Sequence, residues 1–169
     1  NRICKDFLGY NVVVCQNVTD VDDKIIIRSS ERKMPFRDLA SKYEAEFIED
    51  MASLGVNLPD MSTRVSEYVP EVVSYIETLI AKGIAYESNG SVYFSVPAFE
   101  KQGHKYGKLM PEQIGNSELL AEGEGALLTA TTTTEKDSAS DFVLWKKTKE
   151  HADDGVVEPS WTSPWGQGR

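Results

Sequence analysis

The sequence predicts an α/β fold, because strand-like and helical patterns alternate along its first half. Residues 12–15, VVVC, form an apolar run typical of a buried strand, and residues 25–27, III, belong to a helical pattern. An acidic turn at 17–24, NVTDVDDK, separates the two. A strand that passes into a helix through a capped turn is the arrangement with which open α/β sheets build ligand sites. We therefore expect the acidic turn to lie at a functional position.

The first 34 residues predict a helix, a strand and a second helix. Residues 2–9 fit the end of a helix, residues 10–18 a strand, and residues 19–33 the helix that follows the acidic turn. Thr19 is a good N-cap for this helix, and Asp22, three residues later, completes an arrangement like a capping box. We expect the aspartates to lie in the first helical turn, where the helix dipole favours negative charge.

Two longer helices and a hairpin are predicted next. Apolar side chains recur at helical spacing in 35–54, which predicts an amphipathic helix, and a second helical face predicts another helix at 70–83. A short run at 63–67 between them has an extended pattern. An Asn-Gly pair lies between two strand-like runs and predicts a β-hairpin at 84–95.

The pattern is weaker in the last third of the chain. Residues 111–121 fit a short helix, and the Thr-rich and polar residues at about 122–140 predict a flexible linker. Residues 141–145 are strand-like. The tail at 158–169 is rich in Pro, Gly and Trp, which excludes a regular helix or a central strand.

Composition limits the possible functions. The 169-residue chain is 40% hydrophobic and 27% charged, as globular domains are, and no apolar run approaches the ~20 residues of a membrane span. The formal net charge of −9 argues against non-specific binding of nucleic acid by the chain as a whole. Cys4 and Cys15 have no C-x-x-C partner, so we expect reduced, buried thiols, which favours a cytosolic compartment. The start at Asn1 suggests a piece of a longer protein.

Three interpretations of the acidic turn stay open on the residues alone. In the first, the carboxylates are structural: they cap the helix, and Asp20 pairs with Lys24 four residues later. In the second, they bind a divalent metal for phosphate chemistry. An EF-hand loop is excluded, because Lys24 and Ile25 stand where that loop needs an oxygen donor and a glycine. In the third, the Thr19 hydroxyl contacts a small ligand at the carboxyl end of the strand.

Other polar residues are weaker candidates for a site. Residues 103–108, GHKYGK, could meet a phosphate or an RNA backbone, but a solvated turn is the better explanation. No Gly-rich phosphate-binding loop is present in the sequence. Two histidines and two isolated cysteines are too few for a complete His/Cys zinc site, so we predict none within this chain.

Six segments, taken in their order along the chain, resemble the cysteinyl-tRNA synthetase family, and its eukaryotic-type cytosolic form in particular. They are NVTDVDDKII at 17–26, TRVSEYVPE at 63–71, NGSVYF at 89–94, YGKL at 106–109, DFVLWK at 141–146 and EPSWTSPWGQGR at 158–169. One such match would carry little weight, whereas six in the same order, spread along nearly the whole chain, are strong support for the resemblance.

The resemblance implies a class I aminoacyl-tRNA synthetase that activates L-cysteine with ATP and then esterifies the 3′ end of tRNA-Cys in the cytoplasm. It implies a Rossmann-like parallel sheet split by an inserted α+β connective peptide. Residues 1–34 would be the end of the first Rossmann-like half, and residues 35–169 the connective-peptide region. No membrane partner is implied.

The resemblance also implies roles for a few residues. Thr19 matches the threonine that lines the cysteine pocket of the family. Lys24, Ile25, Ile26 and Ile27 match the lysine-bearing K-I-I-K motif, except that the fourth position is Ile27 and a cation follows only at Arg28. No catalytic residue is carried over to this chain.

The remaining machinery of the family would lie outside this sequence. The resemblance places the H-I-G-H-type ATP motif before Asn1, the K-M-S-K-S-type loop after Arg169, and all the ligands of the cysteine-selective zinc beyond the two ends. We therefore expect the isolated chain to be inactive and to bind neither ATP nor zinc. The alternative is an inserted binding module that contacts the tRNA acceptor end or another subunit. Its candidate residues are Lys105, Lys108, Lys146, Lys147 and Lys149.

Overall fold

A computed structural model describes residues 1–116, 135–148 and 158–169 of the chain. These residues form two compact units, Asn1–Tyr68 and Val69–Arg169. Helices and strands occur in both, so the mixed α/β fold is confirmed. Within the described ranges, no helix has the combination of length and apolarity that crossing a membrane requires.

The first unit is built on a pair of parallel strands. Its elements are β1 (Cys15–Val18), α1 (Asp23–Arg32), α2 (Phe36–Ser53) and β2 (Met61–Arg64), with a π-helical turn at Ile3–Phe7 and a 3-10 turn at Val65–Glu67. The register pairs Cys15 with Met61 and Val18 with Arg64. A parallel pair needs a long crossover connection, and α1 and α2 provide it. The two helices pack on each other, and Ile26 and Leu39 are their buried apolar residues.

The first strand is shorter than the sequence predicts. Of the strand expected at 10–18, only Cys15–Val18 is ladder-paired, because β2 opposes only this part. The segment before it is held instead by Asp60, whose carboxylate accepts from Val14 N at 2.8 Å and from Lys5 Nζ at 2.9 Å. The bond and charge of Lys5 and the Val14 N–H lower the pKa of Asp60.

The N-cap prediction at Thr19 is wrong. Helix α1 begins at Asp23, and Asp22 is its N-cap, with an extended backbone (φ −160°, ψ 158°) and a side chain that accepts from Asp23 N at 2.7 Å. Asp20 therefore lies before the helix, outside its first turn. The cause is tertiary: the Asp20 side chain binds Ser66, which is 46 positions away, and no local pattern reveals that partner.

The cysteine prediction is also wrong in part. Both thiols are free, but Cys4 is half-buried and Cys15 is exposed. Cys15 begins a strand whose side chains alternate between exposed and half-buried positions, so the apolar run that contains it is not a fully buried strand.

The second unit combines a helix with a three-stranded antiparallel sheet. Its elements are α3 (Val69–Ala81), β3 (Ala85–Ser88), β4 (Ser91–Phe94), α4 (Val96–Lys101), a 3-10 turn at Pro111–Gln113, β5 (Phe142–Trp145), β6 (Trp161–Ser163) and β7 (Gly166–Gly168). The sheet order is β3-β4-β5, and β6 and β7 form a separate hairpin. Trp145, Val92 and Ile76 lie at the centre of the core.

One close approach in this unit requires a glycine. A Cβ atom on Gly168 would lie 2.3 Å from Nε1 of Trp145 and 2.6 Å from the carbonyl oxygen of Lys146. Both are parts of the structure that have little freedom to move, since Trp145 is 1% exposed and the other atom is backbone. The tail is thus fixed closely to the last strand of the sheet.

Most elements predicted for the second unit appear near their expected positions, and the hairpin turns at Asn89, whose φ is 53°. Of the helix expected at 111–121, the structure shows a 3-10 turn at Pro111–Gln113, and residues 117–121 lie outside the described ranges. So does most of the linker expected at 122–140. Its last part, 135–140, forms turns that are bonded to the sheet.

Asp141 fastens these turns to the sheet. Its carboxylate is 1% exposed and accepts three hydrogen bonds: from the Tyr86 hydroxyl at 2.9 Å, Val96 N at 3.0 Å and Ser138 N at 3.1 Å. The Tyr86 hydroxyl in turn accepts from Asp137 N at 2.7 Å. Burial, together with the bond and charge of Asp141, raises the pKa of Tyr86.

The contacts divide the chain after Tyr68, whereas the family resemblance places an architectural boundary at residue 34. The first boundary follows from spatial contacts and the second from family architecture. Strand β2 falls in the first compact unit because it pairs with β1. The assignment of 1–34 and 35–169 to family regions therefore stays a prediction.

Removing the Asp141 carboxylate should destabilise the second unit strongly. Asp141→Ala leaves three donors without their acceptor, and we expect the free energy of unfolding to fall by about 3 kcal/mol. Urea unfolding followed by Trp fluorescence measures this unit alone, because all three tryptophans lie in it. The control is Asp137→Ala, at an exposed position, with an expected change within about 0.5 kcal/mol. Equal losses in the two variants would contradict the role of Asp141.

The second unit should also lose stability at alkaline pH through Tyr93. This side chain is fully buried and donates to Glu135 Oε2 at 2.9 Å, and burial raises its pKa to about 12 from 10.0. A raised folded-state pKa means that its contribution is complete below pH 10 and is lost as the pH rises towards 12.

Tyr93→Phe should therefore flatten the fall in unfolding free energy over this pH window. Tyr75→Phe, at a position 65% exposed, should keep the fall of the unaltered chain. Urea unfolding at a series of pH values measures both, and identical slopes for the Tyr93 variant and the parent would show the assignment to be wrong.

Candidate substrate site at the carboxyl end of the parallel strands

The candidate site lies where the parallel strands of the first unit end. Strands β1 and β2 run in the same direction, with Val18 opposite Arg64, so the residues after each strand emerge at the same edge. Thr19 and Asp20 follow β1, and Val65 and Ser66 follow β2. Open parallel sheets bind ligands at this edge, because the loops there are free of the strand ladder.

Asp20 joins the two loops. Its Oδ1 atom accepts from Ser66 N at 3.0 Å, and its Oδ2 atom accepts from the Ser66 hydroxyl. Asp20 is only 7% exposed, so these bonds satisfy a carboxylate that has been taken out of water. The first interpretation of the acidic turn is therefore corrected in detail: Asp20 holds a tertiary contact, and Asp22 is the N-cap of the helix.

Thr19 lies at a cleft of about 310 Å³ between the end of β1 and the two helices. Its side chain is exposed, unlike that of Asp20 beside it. Arg28 of α1 and Tyr43 and Glu44 of α2 line the same cleft. The cleft thus presents a hydroxyl, a guanidinium, a phenol and a carboxylate, a set that can bind a small polar molecule by hydrogen bonds and charge.

The residues of the K-I-I-K-like motif occupy the first two turns of α1 and have different surroundings. Lys24 is exposed, Ile26 is buried at 1% exposure, and Ile27 is half-buried. Ile25 lines the cleft together with Arg28, three residues later. Arg28, which follows the fourth motif position, therefore lines the same cleft as Thr19. Lys24, at the first motif position, does not line it.

Arg64 and Glu44 form a bidentate ion pair near the site. Arg64 Nε donates to Glu44 Oε2 at 2.9 Å and Nη2 donates to Oε1 at 2.7 Å, which is a bidentate pair, while Nη1 donates to Glu67 at 3.3 Å. The bonds and charge of Glu44, with a smaller part from Glu67, raise the pKa of Arg64. Glu44 lines both the Thr19 cleft and a second cleft of about 490 Å³, which Asp20, Ser66 and Arg64 also line.

The described residues do not provide a metal site. Within the described ranges, no group of three or more His, Cys, Asp or Glu side chains is placed to hold a metal ion. Asp20 is already bonded to Ser66, Asp22 caps α1, and Cys15 is exposed on β1. These residues do not fit a zinc or a phosphate-binding metal, and no reaction step is assigned to a metal in this chain.

The basic set of the alternative interpretation lies in the second unit. Lys105, Lys108 and Lys147 are exposed, Lys146 is half-buried, and Lys149 lies outside the described residues. Next to them, His104 stacks on the Phe99 ring with centroids 4.7 Å apart, so this histidine packs against the fold.

Sequence reasoning missed Ser66, Glu44 and Arg64. Each depends on a partner at least 20 positions away, so no local spacing marks it. One signal was available for two of them. Arg64 and Ser66 lie in the segment at 63–71 that resembles the family, which could have placed them beside the acidic turn.

Comparison with known proteins identifies relatives along the whole chain. A family model described as tRNA synthetases class I (C) catalytic domain matches residues 1–169. The chain is 52% identical over 168 residues to a Dictyostelium discoideum protein named cysteine–tRNA ligase, cytoplasmic, which covers 99% of this chain. Proteins of the same name from Xenopus laevis and Homo sapiens are 47% and 46% identical over 136 residues, or 79% of this chain.

The chain spans only part of these relatives. It corresponds to 24% of the Dictyostelium discoideum protein and to 17% of each of the two vertebrate proteins. The segment that carries Thr19, Asp20 and Ser66 lies within the region matched by the family model.

The corrected N-cap can be tested by separating the roles of two neighbouring residues. Asp22→Ala should lower the stability of α1 by about 1 kcal/mol, because the helix loses its cap, and Thr19→Ala should change it by less than about 0.5 kcal/mol. Hydrogen exchange of the amides of Asp23–Arg32 measures the local stability in the 169-residue chain. Greater loss of protection in the Thr19 variant would restore Thr19 as the cap.

Proposed function

From the fact that this chain belongs to the family of class I (C) tRNA synthetase catalytic domains, we propose that it is part of a cytoplasmic cysteine–tRNA ligase. The whole protein would activate L-cysteine with ATP and transfer it to tRNA-Cys. The observation that carries this proposal is the 52% identity to a ligase of that name over 99% of the chain, the candidate site included. The chain corresponds to only 24% of that relative, so the activity is proposed for a longer parent protein of which this chain is a part.

Thr19 is proposed to contact the cysteine substrate. It matches the family threonine of the cysteine pocket, and its exposed side chain lines a cleft of about 310 Å³ at the strand edge. A hydroxyl both donates and accepts, so it can bond either the carboxylate or the ammonium group of an amino acid. Such a contact positions the substrate, and positioning is a large part of catalysis in group transfer between two bound reactants.

Arg28 is proposed to supply the cation that the K-I-I-K motif lacks at Ile27. It lines the cleft with Thr19, whereas Ile27 is half-buried and does not line it. A guanidinium there would attract the carboxylate of an amino acid. Lys24 would remain a surface residue of the motif.

The division of labour within the parent protein is also a proposal. Residues 1–34 would be the end of the first Rossmann-like half, and residues 35–169 the connective-peptide region. The groups that bind ATP and zinc would come from other parts of the protein, so the isolated chain should not catalyse the reaction. Zinc would supply selectivity for the cysteine thiolate. The residues of this chain would orient the substrate and connect the loops that follow β1 and β2.

The test is cysteine-dependent ATP–pyrophosphate exchange by the full-length parent. Thr19→Val keeps the shape but removes the hydroxyl, and we expect the KM for cysteine to rise about tenfold with the KM for ATP unchanged. Thr19→Ser keeps the hydroxyl and should stay near the parent. The 169-residue chain alone should show no exchange.

Two results would contradict the proposal. Absence of cysteine-dependent exchange in the unaltered full-length protein would remove the proposed activity. Equal KM values for the Val and Ser variants would leave the activity in place but remove Thr19 from the cysteine pocket.

A further inference from the structure

We propose that Ser66 is a positioning residue for the amino-acid substrate, acting on Thr19 through Asp20. This inference rests on the proposed function, and it assigns a role to the loop after β2. Ser66 binds both oxygens of the Asp20 carboxylate, one with its backbone N–H at 3.0 Å and the other with its hydroxyl. Asp20 is the residue directly after Thr19, so the bond fixes one end of the peptide that carries the Thr19 hydroxyl.

The Thr19 turn needs such an anchor. Strand β1 ends at Val18 and helix α1 begins at Asp23, so residues 19–22 lie outside both ladders. Asp22 is held to the helix by its capping bond. The Asp20 side chain is the contact that ties this turn to the neighbouring strand end, and its burial at 7% exposure keeps water from competing for the bond.

The turn that carries Ser66 is itself bonded to helix α2. Arg64 is paired with Glu44 of α2 by two hydrogen bonds at 2.9 and 2.7 Å, and its third contact is to Glu67 at 3.3 Å. Ser66 lies between Arg64 and Glu67, so a bond from it to Asp20 connects the Thr19 turn to a segment that is held on α2.

Ser66 acts indirectly. It lines the second cleft of about 490 Å³ with Asp20, whereas the cleft of about 310 Å³ is lined by Thr19 and Asp20 without it. A substrate in the Thr19 cleft would meet Ser66 only through the carboxylate. A change at Ser66 should consequently loosen the Thr19 hydroxyl and weaken the binding of the amino acid, while the binding of ATP should be unaffected.

The experiment uses the full-length parent and three single variants. Ser66→Ala removes the hydroxyl bond but keeps the backbone N–H bond to Asp20, so the protein should fold. Ser66→Thr keeps a hydroxyl. Ser62→Ala, at an exposed position of β2, is the matched control. Each is assayed by ATP–pyrophosphate exchange, with KM determined separately for cysteine and for ATP, and with circular dichroism as a check of folding.

We expect the Ala variant at 66 to raise the KM for cysteine about fivefold, with kcat and the KM for ATP within about twofold of the parent. The Thr variant should restore the parent KM, and the Ser62 variant should not differ from the parent. A cysteine KM within about twofold of the parent for Ser66→Ala, or a parallel rise for ATP, would overturn the positioning role.

This outcome is distinct from failure of the proposed function. If another amino acid, and not cysteine, supports ATP–pyrophosphate exchange by the unaltered protein, the proposed specificity for cysteine is wrong. The KM of the same variants for that amino acid then decides the role of Ser66. If no amino acid supports exchange, both the function and the positioning role are overturned.

Discussion

The parallel pairing of β1 with β2 is the constraint on which the rest of the first unit depends. Parallel strands cannot be joined by a tight turn, so the chain must cross over, and α1 and α2 fill the crossover. The pairing also brings the two carboxyl ends to one edge. Thr19 and Ser66, which are far apart in sequence, follow adjacent strands only because of this register. The candidate site is thus a consequence of strand direction rather than of any local motif.

Each unit uses a buried carboxylate to fix a distant loop. Asp20 binds Ser66, 46 positions away, and Asp141 binds Val96 N, 45 positions away. A carboxylate suits this task because it accepts several hydrogen bonds at once, and because leaving it unpaired in a buried place is costly. Backbone N–H groups are donors to both. The geometry of these loops therefore depends on one acidic side chain each, and it is specific because few other arrangements would satisfy the charge.

The sequence was informative where structure is local and uninformative where it is not. Helix α2, helix α3 and the β3-β4 hairpin lie close to the positions that apolar spacing and the Asn-Gly pair indicate, because these signals arise within the element itself. The predicted start of α1 is a few residues too early, because Thr19 and Asp22 are both good N-cap residue types. In the structure Asp22 is the N-cap, and Asp20 is bonded to a serine that is remote in sequence. Thr19 is a candidate both from its place after a predicted strand and from the family resemblance, whereas its support through Asp20 is visible only in the fold.

The departure at the fourth position of the K-I-I-K motif has a geometric explanation. Successive residues of an α-helix are rotated by about 100°, so positions three apart share a face. In α1 that face carries Ile25 and Arg28, which both line the Thr19 cleft, and Ile26 is buried. Ile27 is half-buried and does not line this cleft, so having an apolar side chain instead of a cation at this position does not change the charge of the cleft. The cation that lines the cleft from α1 is Arg28, one position later, so a guanidinium shares this cleft with the Thr19 hydroxyl.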